Sequence, residues 1–71
     1  MSNSNLSEQW VNALTLKLSG EKEAHILNVR TLITNGVGVA EHPDTAVTIE
    51  GELMKIAECD DKLDALKKYF D

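Results

Sequence analysis

One cysteine, one proline, one arginine (Arg30) and three aromatic residues are all that this 71-residue chain holds of those types. Each scarcity closes a route. With Cys59 alone, no intrachain disulfide can staple the fold and no cysteine-rich zinc site can form. Arg30 alone cannot build the paired guanidinium clamp that a dicarboxylate needs. Seven cations against twelve acidic residues, a formal charge of −5, are a poor match for nucleic-acid phosphates or an anionic membrane. No apolar run approaches the roughly 20 residues of a membrane span. The opening MSNSNLSEQW lacks the basic and apolar regions of a signal peptide. These absences lead us to expect a protein of a reducing, cytoplasmic setting, with no nucleic-acid partner, no membrane partner and no cofactor.

A chain this short buries only about 60% of its unfolded surface, so its core needs support. Without disulfides or a metal cluster, the remaining support is oligomerisation.

What is present is helical periodicity. Ile49, Leu53, Ile56, Cys59, Leu63, Leu66 and Phe70 recur at spacings of three and four, close to a coiled-coil period. Pro43 and Asp44 suit a helix start. Lys62, Lys67 and Lys68 oppose the negative pole at the far end. The pattern predicts one helix over about 44–70. In the first half, Ser7 with Glu8 and Gln9 resembles a helix start, and Leu6 with Val11 a hydrophobic staple. Val11, Leu14, Leu18, Ile26, Val29 and Ile33 carry an apolar face. Trp10, Leu16, Leu27 and Leu32 widen it. A helix over about 7–35 follows, with Gly20 as a candidate break costing about 1 kcal/mol in a helix interior.

A second reading stays open. Leu14, Leu16 and Leu18 alternate with polar neighbours, and so do Leu27, Val29, Thr31 and Ile33, as a β-hairpin turning at Ser19 and Gly20 would require. The helix formers in EKEAHIL favour the helix. The expected architecture is therefore all-α: a single domain over 1–71, residues 1–5 a disordered tail, two long antiparallel helices forming a hairpin. Two copies would dimerise into a four-helix bundle, with the 49–70 stripe as core and oligomer face. A homodimer or higher homo-oligomer is the expected state.

Candidate chemistry is sparse. Cys59 lies on the apolar stripe, and Asp60 and Asp61 beside it would raise rather than lower a thiol pKa, so it reads as core. His42 stands between Glu41 and Asp44, but a metal site needs ligands converging from two elements, and His25 is the only other imidazole. The E-x-x-D pairs Glu41/Asp44 and Glu58/Asp61 could serve a magnesium-dependent nucleotide hydrolase, yet the other arm offers only Glu21 and Glu23. Gly36, Val37 and Gly38 follow a helix and lack the Lys-Ser/Thr of a phosphate loop. Asn35 and Gly36 suit a helix end. Beyond them Val37 and Val39, with His42, form an apolar tip that either plugs the bundle or binds a partner.

The runs NGVGVAEHPD and TIEGELMKIAECDDKLDALKKYF resemble small uncharacterised proteins of tailed marine cyanophages, over residues 35–70. The resemblance implies a phage-encoded protein acting in the host cytoplasm or the virion, and it carries over no functional residue. The leading expectation is a non-enzymatic interaction or oligomerisation protein. A small acidic inhibitor or regulator of a host enzyme comes second, and the metal-dependent hydrolase third.

Overall fold

The computed structural model describes residues 3–35 and 43–70, the latter as a single helix throughout. Two helices, α1 (Asn3–Thr34) and α2 (Pro43–Phe70), run antiparallel and pack along their length. The chain is an all-α helical hairpin, a rod of 59 × 16 × 12 Å only one helix pair wide. No helix of the described residues is long and apolar enough to cross a membrane.

α1 passes through Gly20 without a break, so neither a β-hairpin nor a two-helix first arm forms. Lys17 and Glu21 brace this stretch as an i, i+4 ion pair at 3.0 Å. The helix begins at Asn3, one turn before the start expected at Ser7 and inside the segment expected as a disordered tail. The extra turn sets Leu6, Trp10 and Leu14 at i, i+4 spacing on one side of the helix, which explains why the chain does not stop at Ser7. At the other end the Asn35 amide donates to the Thr31 carbonyl at 3.0 Å. α2 opens with Pro43 as its first residue and Asp44 in its first turn, and it closes with Lys67 and Lys68 in its last, as both helix poles favour.

Burial departs from the expected stripes. Among the described residues Leu18 and Cys59, one from each helix, are the buried apolar side chains, at 8% and 7% exposure. Ile49, Ile56, Leu63 and Leu66 are half-buried, whereas Leu53 and Phe70 are exposed. At 100° per residue Leu53 lies about 120° around α2 from Cys59, off the seam, whereas Phe70 lies only about 20° from it and is exposed as the last residue of the helix. On α1 Val11, Leu14, Lys22, His25, Ile26, Val29 and Leu32 are among the half-buried positions, and Ile33 is exposed. Leu16, at 75% exposure, and Leu27 do not widen the packed face as expected. At 100° per residue they point nearly opposite to Leu18.

Candidate interaction surface

Two polar pairs cross the seam. Lys22 Nζ donates to Asp60 Oδ1 at 2.8 Å, and His25 Nδ1 donates to Glu52 Oε2 at 2.5 Å. Both occupy levels where the α1 stripe lacks an apolar residue, so each places a long or planar polar group beside the flanking leucines and isoleucines. Glu52 is part-buried and its carboxyl is held below the usual glutamate range. The hydrogen bond from His25 is the main cause, burial opposes it, and Asn28 adds a further hydrogen bond. Lys22 is pushed above the usual lysine value by its hydrogen bond to Asp60, then by that carboxylate's charge. Mispairing the helices by one turn would separate both pairs, so they act as register marks.

The pairs are not by themselves a catalytic centre. A His–carboxylate pair becomes one when a nucleophile stands at the imidazole. Cys59, the one thiol, lies seven residues beyond Glu52 on the same helix, about 10 Å along its axis. It is buried and free. Glu58 and Asp61 are exposed, and among the described residues no group of three or more His, Cys, Asp or Glu side chains could hold a metal ion. The tip residues Val37, Val39 and His42 lie outside the described residues, as does Glu41.

An apolar concavity lies at the open end, where the start of α1 meets the end of α2. Leu6, Ser7, Trp10, Val11, Leu14, Leu66 and Phe70 line a largely apolar groove of about 400 Å³. The three aromatic residues of the chain gather at this end: Trp10, Tyr69 and Phe70 are 63%, 67% and 70% exposed. Tyr69 and Phe70 meet edge to face with centroids 6.5 Å apart, and the Lys68 ammonium sits 5.4 Å from the Tyr69 ring centre. From the sequence, Phe70 read as stripe and Trp10 as the flank of an apolar face. Both lie inside the expected helices, and it is the register of the hairpin that sets them on one groove. No family model, no curated protein and no solved structure matches the chain.

Proposed function

We propose that the chain is a non-enzymatic helical interaction protein that works as a homodimer or higher homo-oligomer of hairpins. The observation that carries this reading is the amount of apolar surface the single hairpin leaves in water. A compact monomer of 7.8 kDa exposes about 4,400 Å², whereas this chain exposes 5646 Å². Among the described residues ten large apolar side chains, including Leu6, Val47, Leu53 and Met54, stand exposed beside a core of two. Two helices bury one seam, and a marginal fold gains most by covering the rest.

In this reading the protein is phage-encoded and acts in the host cytoplasm or the virion, supported by the resemblance of residues 35–70 alone. A second reading, a small acidic regulator docking on a host enzyme, draws on the surplus of acid in the middle of the rod. Residues 18–27 and 50–59 hold Glu21, Glu23, Glu50, Glu52 and Glu58 against Lys22 and Lys55.

Thermal unfolding measured over a hundredfold range of protein concentration tests the proposal. Coupled folding and association make the midpoint rise with concentration. A midpoint that stays constant over that range would contradict it.

A further inference from the structure

We infer that self-association, on which this rests as proposed above, runs through the open end: a second copy docks its own Trp10 and Phe70 against the groove, so that the two open halves overlap and the two tips point away from each other. Three observations select that occupant.

The first is shape. The end carries a groove lined by Leu6, Leu14 and Leu66, and exposed rings, Trp10 and Phe70, at its rim. A surface holding both a cavity and the group to fill one is self-complementary about a two-fold axis, as an isologous interface requires. The second is area. Aromatic side chains carry about 200 Å² each, so Trp10 and Phe70 at two-thirds exposure offer about 270 Å² at the groove, and Tyr69, edge to face with Phe70, widens the patch on its outer side. Leu6 is exposed beside them, and Leu14 and Leu66 are half-exposed. A standard interface covers about 800 Å² per partner, about 65% of it apolar in homodimers, or about 520 Å². The open end supplies most of that.

The third is charge. The open half, residues 1–17 and 60–71, holds five acidic residues against four lysines, an excess of one. The middle of the rod carries an excess of three acidic groups across residues 18–27 and 50–59. Full-length antiparallel overlap would lay one acidic middle on the other, and like charges facing each other oppose association. Overlap of the open halves keeps the acidic middles apart.

Trp10 is the single tryptophan, and it reports directly on this surface. The wild-type chain is diluted from about 200 µM while sedimentation equilibrium gives its mass and acrylamide quenching gives the exposure of Trp10. The expected result is a quenching constant that falls severalfold, with a blue-shifted emission, in step with association. Leu6→Ser/Phe70→Ser changes two exposed side chains and keeps the reporter. It should raise the dissociation constant at least 30-fold, the effect of losing a central anchor, while its far-ultraviolet spectrum stays helical. Leu27→Ser, about 25 Å farther along α1 than Trp10, should leave both readings unchanged. A wild type that associates while Trp10 stays equally quenched, or a Leu6→Ser/Phe70→Ser variant that associates as before, overturns the inference and leaves self-association standing. A folded wild type that remains monomeric throughout overturns both.

Discussion

His25 and Glu52, 27 residues apart in sequence, meet across the helix seam through a 2.5 Å hydrogen bond from Nδ1 to Oε2. The bond fixes which turn of α1 faces which turn of α2. It also ties stability to acidity. Glu52's folded pKa lies below its ordinary 4.5, so at low pH the unfolded chain takes up this proton more readily than the folded one. The pair's contribution is complete above about 4.5 and is lost as pH falls through the lower folded value. Lys22 has the opposite sign. Its folded pKa is raised above 10.5, so its contribution is present below that value and is lost as pH rises through the folded one. Urea midpoints measured against pH should therefore decline at both ends. His25→Leu removes the main donor to a part-buried carboxylate. It should lower the midpoint at pH 7 and flatten the acid decline, whereas an unchanged acid limb would assign that decline to other carboxylates.

Leu18 is the buried side chain that α1 contributes to the seam. Leu18→Ala removes it from a core with almost no other fully covered group, and the expected cost is about 3 kcal/mol. In a fold of this size such a loss approaches the whole stability. Chemical denaturation is the measurement, and a cost below about 0.5 kcal/mol would mean that the helices do not meet at this level.

Cys59 is the corresponding side chain of α2, free and buried. Its thiol should react slowly with an aromatic disulfide reagent in native protein and promptly in denaturant, since a buried thiol reacts only on opening. Equal rates in the two conditions would place Cys59 on the surface.

Gly20 lies within α1, where an added Cβ would meet nothing within 4 Å. Gly20→Ala should stabilise the hairpin by about 0.5–1 kcal/mol through helix propensity alone. A destabilised variant would show that the back of α1 packs closely against something that needs the missing side chain.

The hairpin was legible because its signals are local and repeated. The stripe from Ile49 to Phe70 and the proline start of α2 each announce a helix, and the residues around Gly20 are good helix formers. Polar pairing was not, because it depends on register. His25 and Glu52 lie equally far from the point midway between residues 38 and 39, as do Leu18 and Cys59, and only with that centre known does the sequence place imidazole opposite carboxylate. The open-end groove was hidden for a related reason. Ser7 is a good helix cap in isolation, but Leu6 and Trp10 at i, i+4 spacing favour one more turn. Leu16 and Leu27 misled because apolar character was read as apolar facing.

Sedimentation equilibrium of the wild-type chain at tens of micromolar, at pH 7 and moderate salt, tests self-association most directly. The proposed self-association predicts a particle of at least twice the 7.8 kDa chain mass. A single helical species of 7.8 kDa at that concentration would contradict it.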